Sequence, residues 1–293
     1  MFVANSPWRD AVTMIPKERD QAGNRWQASA QYWDKYRKVI ETIFASLTNA
    51  LIEEARIRTG QRVLDIGGGS GEPSLTISKI VGSTGSVMYT DPAAGMLDAA
   101  RAEAERRDLT NISFTQCSGD DLPFEDQIFD VAVGRLSAMF FADPEKAARE
   151  ALRVVREDGY ASFVVWGPRE KNPFLSTVVD VIDRRAEVPA DDPSAPDPYR
   201  FASSGKLAGI LEAAGAEAVI ERPFTFQIQE KMSFEQFWQL RTEMSETLRR
   251  RLAGLAPVVL TSIKHEVAKA AQAYFTGGTM SFSAETLIVT ATR

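Results

Sequence analysis

Between residues 62 and 166, short apolar runs alternate with amphipathic stretches of helical length. No other feature limits the fold as much, because such alternation builds βαβ units and a parallel sheet. The runs at 62–66, 86–90, 112–116, 128–133 and 160–166 read as strands. The fourth is almost wholly apolar, as a strand covered on both faces should be. Helices fit segments between them. Leu75, Ile77 and Ile80 precede Gly82; Met96, Leu97 and Ala100 follow Asp91-Pro92; Ala148, Ala151, Leu152 and Val155 follow Asp143-Pro144. The last set falls at i, i+3, i+4 and i+7, one face of a helix. Pro73 and Pro92 suit first helical positions, with Asp91 as a cap, and Gly82 and Gly159 suit helix ends.

The flanks differ in character. Val39, Ile43, Leu47, Leu51 and Ile52 form an apolar stripe in a helical stretch at 25–57, which Gly60 closes. After Trp166 the βα rhythm stops. Residues 189–198 read PADDPSAPDP, a loop. Ser203 or Ser204 then caps a helix running to Gly215, 217–229 reads as a strand bent at Pro223, 233–276 as a mostly helical insertion, and 286–292 as a closing strand. This divides the chain into an N-terminal helical cover at 1–57, an α/β core at 58–232 and 281–293, and an insertion at 233–280 that the stripe Phe234, Phe237, Trp238 and Met244 makes a candidate roof for an apolar pocket.

Composition narrows the function. A chain of 293 residues buries roughly three quarters of its unfolded surface and needs no staples. Lys plus Arg is 34 and Asp plus Glu is 40, giving a net charge of −6, which argues against a nucleic-acid-binding face. The single cysteine, Cys117, excludes an internal disulfide and multi-cysteine metal sites; the single histidine, His265, argues against His-rich metal sites and a Ser-His-Asp triad. His265 reads as solvated and Cys117 as a small buried side chain. No signal-like start and no run of roughly 18 apolar residues occurs, so the expectation is a cytoplasmic chain without a membrane span, monomeric or homodimeric.

The chemistry concentrates at the first strand–loop–helix, where Asp65-Ile66 runs into Gly67-Gly68-Gly69-Ser70-Gly71-Glu72. Glycines after a parallel strand let a ligand approach the backbone. Asp91 ends the second strand, 20 residues beyond Gly71. A carboxylate there can accept from both hydroxyls of a ribose. The dinucleotide fingerprint would need a third glycine at position 72, which is Glu. A carboxylate at the helix start opposes a pyrophosphate. No Gly-Lys-Ser/Thr follows, so the loop is not a P-loop. A nucleoside with a sulfonium and an ammonium group, S-adenosylmethionine, has no such conflict.

The segment 63–71 resembles motif I of class I S-adenosylmethionine-dependent methyltransferases, and Thr90-Asp91-Pro92-Ala93-Ala94-Gly95-Met96-Leu97 is similar to the second motif of the ubiquinone/menaquinone C-methyltransferase branch. Asp121-Leu122-Pro123-Phe124 with Ile128-Phe129-Asp130-Val131, and the stretch from Arg135 to Gly159, resemble later parts of the same branch. The resemblance implies a Rossmann-like seven-stranded sheet with helices on both faces. It implies that Asp65, Gly67 and Gly69 hold the methionine part, and that Asp91, with Pro92 beside it, holds the ribose diol. Met96 would pack on the adenine, whose edge would meet Ser118, Gly119 and Asp120. Ser118 stands where the family usually has an acid, and Asp120 is the second candidate. Gly134 and Arg135 would lie beside the methyl group; a surface or ion-pair role is the competing reading for Arg135. For the cluster Trp26, Tyr32, Trp33 and Tyr36, two readings stay open: a cap on the core, or a cover that sets Tyr32 or Tyr36 near the sulfonium.

The expected reaction is an SN2 methyl transfer to a small, apolar or aromatic acceptor, quinol-like or a secondary metabolite. The sequence names no catalytic base and no metal site. The rival readings are an NAD-dependent oxidoreductase and a cofactor-binding protein without catalysis.

Overall fold

A computed structural model describes residues 26–185 and 196–293. Its centre is an eight-stranded sheet in the order β3-β2-β1-β4-β5-β8-β6, with β7 paired to β8. The strands are β1 (Arg62–Ile66), β2 (Ser86–Asp91), β3 (Ile112–Gln116), β4 (Phe129–Arg135), β5 (Val155–Trp166), β6 (Ala218–Lys231), β7 (Phe275–Thr276) and β8 (Thr279–Thr292). β3, β2, β1, β4 and β5 are mutually parallel, and β8 and β6 close the sheet antiparallel. Seven of these strands are the expected ones; the eighth, β7, has only two residues, too few for a periodic signal. Val63, Leu64, Asp65 and Ile66 are successive and all buried, so both faces of β1 are covered.

The described helices are α1 (Ala30–Lys35), α2 (Arg37–Ile43), α3 (Ala45–Glu54), α4 (Ser74–Val81), α5 (Ala94–Arg106), α6 (Pro144–Val154), α7 (Pro173–Arg185), α8 (Lys206–Ala213), α9 (Phe234–Met244), α10 (Glu246–Ala253) and α11 (Pro257–Ala271). The single helix expected upstream is three short ones, broken at Tyr36 and Phe44. Its stripe holds in α2 and α3, where Ile40, Ile43, Leu47, Leu51 and Ile52 are buried; Val39 is only partly so. α3 rests on β4, β5, β6 and β8.

Several boundaries differ from expectation for local reasons. Arg56, not Gly60, ends α3: it takes φ +54°, its N–H donates to the Glu53 carbonyl, and the Ile57 N–H donates to that of Ile52. Pro73 precedes α4 as its cap. Gly159 lies inside β5, because α6 passes directly into that strand at Val155. A Cβ at Gly159 would stand 2.7 Å from the Asp130 carbonyl oxygen, so close backbone approach explains the glycine. α8 starts after Gly205 in left-handed conformation, while Ser204 donates to Glu221 instead of capping. β6 runs unbroken through Pro223, opposite Leu287; an edge strand tolerates the missing donor. Of the 189–198 loop, 189–195 lies outside the described residues.

α7 was not expected. Buried Asn172 sets its start: the amide donates to the Gly167, Pro168 and Glu285 carbonyls and accepts from the Glu285 N–H, pinning the turn to β8. The aromatic stripe of α9 is core. Phe237 is fully buried, 5.2 Å from Phe282 and 5.8 Å from Phe174 between ring centroids. No described helix is long and apolar enough to cross a membrane.

Leu51 is fully buried beneath the N-terminal helices. Leu51→Ala is expected to cost about 2–5 kcal/mol of unfolding free energy in urea titration, from lost transfer and a residual cavity. A cost under about 1 kcal/mol would show that α3 is not part of the cooperative core.

Candidate functional site

The site forms at the carboxyl ends of β1, β2 and β4, where ligands bind on open α/β sheets. Past Ile66 the chain turns sharply, with the Gly67 and Gly68 N–H groups both donating to the Thr90 carbonyl at 2.9 and 3.0 Å. Beneath the loop a Cβ on Gly68 would stand 2.4 Å from the Tyr89 ring. On its other side Gly69, at φ +56°, would point a Cβ into open space. The loop is thus packed from below and bare above.

Two carboxylates border it. Asp65 has no solvent exposure; its Oδ2 accepts from the Ser74 hydroxyl at 2.6 Å and its Oδ1 has no partner. Asp91 is 6% exposed, with Oδ2 accepting from Gly69 N–H at 3.1 Å and Oδ1 from Ala93 N–H at 2.9 Å. Helix α5 begins later than the sequence suggested, capped by Ala93, so Asp91 ties its own turn to the glycine loop instead of capping the helix. Burial raises the Asp65 pKa to about 7, against the lowering effects of the Ser74 bond and the Arg135 charge; it raises that of Asp91 to about 6, offset by the two backbone donors. Glu72 is buried at the start of α4, its Oε2 accepting from Thr76 N–H at 3.3 Å, and burial raises its pKa too.

A cavity opens over the loop, enclosing about 920 Å³ with its mouth included. Of the sequence candidates, Gly67, Gly69, Asp91, Pro92, Met96, Ser118, Gly119 and Arg135 line it together. Four others lie outside the lining. Asp65 sits under the loop, and Asp120 stands behind Ser118, whose hydroxyl donates to it. Gly134 packs against Phe163 and Ser137, where a Cβ would meet them at 2.7 and 2.8 Å. The Tyr32 ring lies under the Arg249 guanidinium, 4.7 Å from ring centroid to cation. Its place is taken by neighbours: Trp26 and Trp33 line the cavity, and Trp26 meets Phe140 edge-on at 5.0 Å. His265 is exposed on α11.

The lining also includes residues the sequence reading did not assign: Ile40 and Phe44 from the cover, and Leu136, Ser137, Phe140, Phe141 and Ala142 after β4. The signals for the latter are the resemblance of the stretch from Arg135 and two adjacent aromatics following an apolar strand. Met96 joins Ala30 and Ala93 in a small cluster against Trp26 and Trp33, and Gly95 N–H donates to the Gln27 side chain at 2.8 Å. No residue of 233–280 lines this cavity. The insertion instead braces the cover through Glu243, which accepts from Tyr36 at 2.7 Å, and Arg249, which donates to Ser29 at 2.9 Å.

Residues 64–163 match the family described as "Methyltransferase domain". That segment is a methyltransferase domain. The chain is 36% identical over 135 residues to the ubiquinone/menaquinone biosynthesis C-methyltransferase UbiE of Cellvibrio japonicus, covering 46% of this chain and 54% of the relative. It is 37% identical over 135 residues to the uncharacterized methyltransferase YcgJ of Bacillus subtilis, covering 46% and 51%. The chain thus spans about half the length of these curated relatives. The YcgJ crystal structure superimposes with TM-score 0.55 at 21% identity, covering 84% of this chain and 97% of that one. The [4+2]-cyclase SpnF superimposes with TM-score 0.55 at 17% identity, covering 92% and 96%. The methyltransferase domain therefore carries the class I S-adenosylmethionine-dependent methyltransferase fold. Its loop fits that cofactor: the bare face at Gly69, the unpartnered Asp65 oxygen and the carboxylates Asp91 and Glu72 suit a cation.

The raised carboxyl values have a consequence for stability. An acid whose folded pKa lies above its unfolded 3.8 stabilises the fold fully only below that value, and the contribution is lost as pH rises through the folded pKa. Between about pH 4 and pH 7 the native protein keeps protons that the unfolded chain has released. Urea titrations across that window should give a steeper fall in stability for wild type than for Asp65→Asn or Asp91→Asn; parallel curves would contradict the burial assigned to both groups.

Proposed function

We propose that this chain uses S-adenosylmethionine to methylate a small, apolar or aromatic acceptor, quinol-like or a secondary metabolite. The observation that carries the reading is the acid-bordered, bare-backbone cradle with Glu72 where a diphosphate would need positive potential. The cofactor supplies an electrophilic methyl group on a sulfonium. The chain's part is to bind, align and exclude water.

In this reading Gly67 and Gly69 receive the methionine part, with Asp65 beneath them. The Asp91 carboxylate keeps acceptor capacity beyond its two backbone donors and takes the ribose diol, with Pro92 beside it. Met96 packs on the adenine, and Ser118, oriented by Asp120, meets its edge together with Gly119. The aromatic wall of Trp26, Trp33, Phe44 and Phe140 encloses the acceptor. Its apolar character, with the chain's net negative charge, favours a small ring over nucleic acid. A reducing, cytoplasmic setting accords with the lone thiol of Cys117, which burial pushes up to about 12 and so keeps unreactive.

A second reading has one observation in its favour. The likeness to SpnF, described as a [4+2]-cyclase, shows that this fold also occurs in a protein not named a methyltransferase. Incubation with methyl-labelled cofactor and a panel of phenols, quinols and amines separates the two. Transfer of label supports methylation; cofactor binding with no transfer to any member favours the second reading. Asp91→Ala should weaken adenosylhomocysteine binding by about 1–3 kcal/mol in calorimetry, the cost of unpaired polar groups. Unchanged affinity would show that the ribose lies elsewhere.

A further inference from the structure

Outside the lining of the cavity over the glycine loop, two donors meet without acceptors. They lie where the first turn of α7 meets α9 and the turn carrying Tyr199. α7 follows the carboxyl end of β5, the side of the sheet on which ligands bind. Arg241 of α9 is half-buried there, its guanidinium 5.0 Å over the Phe174 ring and its Nη2 donating to the Leu175 carbonyl at 3.3 Å. Its Nε is shut off from solvent and has no acceptor. The Tyr199 hydroxyl is in the same state. The two groups share one environment. Burial lowers the Arg241 pKa to about 10, against a raising effect of Tyr199. Burial raises the Tyr199 pKa to about 12, against lowering effects of Arg169 and Arg241.

The acids of α7 are committed elsewhere. Asp180 and Asp183 pair with Arg169, and Asp183 also with Arg251. Arg169, neutralised in this way, stands 5.5 Å over the Tyr199 ring. Arg241 pairs with no carboxylate among the described residues, and no acid contributes to its pKa. Its side chain also lies beside the first turn of α7, the positive end of a 13-residue helix. A bridging water would satisfy both donors but leave the charge; an anion answers both. The edge of a guanidinium forms a fork that fits the two oxygens of a carboxylate, and a tyrosine hydroxyl adds a further donor.

We infer that Arg241 and Tyr199 form a binding site for a carboxylate, separate from the cofactor cavity. The site needs neither S-adenosylmethionine nor methyl transfer. One bond links it to the cavity: Arg200, next to Tyr199, donates to the Phe141 carbonyl at 2.7 Å, and Phe141 lines the cavity. The carboxylate therefore belongs either to a free small acid or to the acidic end of a longer molecule that reaches the cavity.

The probes are benzoate and its neutral isostere benzamide, titrated by calorimetry into the whole chain with and without adenosylhomocysteine. Benzoate should bind and benzamide should not. Arg241→Gln should weaken benzoate about tenfold and Tyr199→Phe about threefold, with adenosylhomocysteine affinity within about twofold of wild type. If Arg241→Gln fails to fold, Tyr199→Phe and the contrast between the two probes still decide. 4-Phenylbutyrate separates the sources: binding that Trp33→Phe weakens marks a molecule reaching the cavity, and binding that it leaves unchanged marks a free acid. Absence of benzoate binding, equal affinity for benzamide, or benzoate affinity that the folded variants leave unchanged overturns the inference. Wild type that binds benzoate but not adenosylhomocysteine counts against the methyl-transfer reading alone.

Discussion

Two carboxyl groups withheld from water at the ends of adjacent parallel strands are the constraint on which the site depends. β1 and β2 pair in register, with Asp65 opposite Tyr89 and Ile66 opposite Thr90, so both chains leave the sheet at one level. The Thr90 carbonyl then captures two loop N–H groups and bends the glycines back over the strand ends. Asp91 closes the arrangement by accepting from Gly69. Burying these acids raises their pKa values, an unfavourable state that a cation above the loop would relieve. The same acidity, with Glu72 just before the cap of α4, disfavours a phosphate at a helix start that would otherwise attract one.

The cover depends on a second buried charge system. Glu103 of α5, almost fully buried, pairs with Arg37 of α2 and with Arg106 and Arg107. Arg107 also pairs with Glu41 at 2.6 Å. Those arginines hold the Glu103 carboxyl down at about 2 despite its burial. The network clamps α2 to the helix that follows the Asp91 turn, and Glu243 and Arg249 brace α1 from the insertion. Trp26 and Trp33 reach the cavity because the helices behind them are held on both sides.

The sheet was legible because strand and helix periods differ and the core strands are short, largely apolar runs. Motif spacing brought eight of the twelve candidate site residues to one cavity. Misreadings occurred where tertiary contacts override local preference. Gly159 and Gly60 looked like helix ends, yet one fits a crowded strand and Arg56 makes the turn assigned to the other. α7 is rich in Val and Ile, and only Asn172, bonded to a strand more than a hundred residues later, fixes its start. Phe237 and Trp238 have the spacing of a pocket stripe, but Phe174, Phe275 and Phe282 enclose Phe237 in the core. Tyr32 and Trp33 are neighbours on a short helix, and sequence alone does not say which turns inward.

The central claim is that buried acids around a bare loop select a cationic nucleoside over a diphosphate. Calorimetric titration of the wild-type protein at neutral pH with S-adenosylmethionine and, separately, with NAD tests it most directly. The account predicts saturable binding of S-adenosylmethionine at one site per chain and no detectable heat with NAD. Saturable NAD binding together with silence toward S-adenosylmethionine would contradict it.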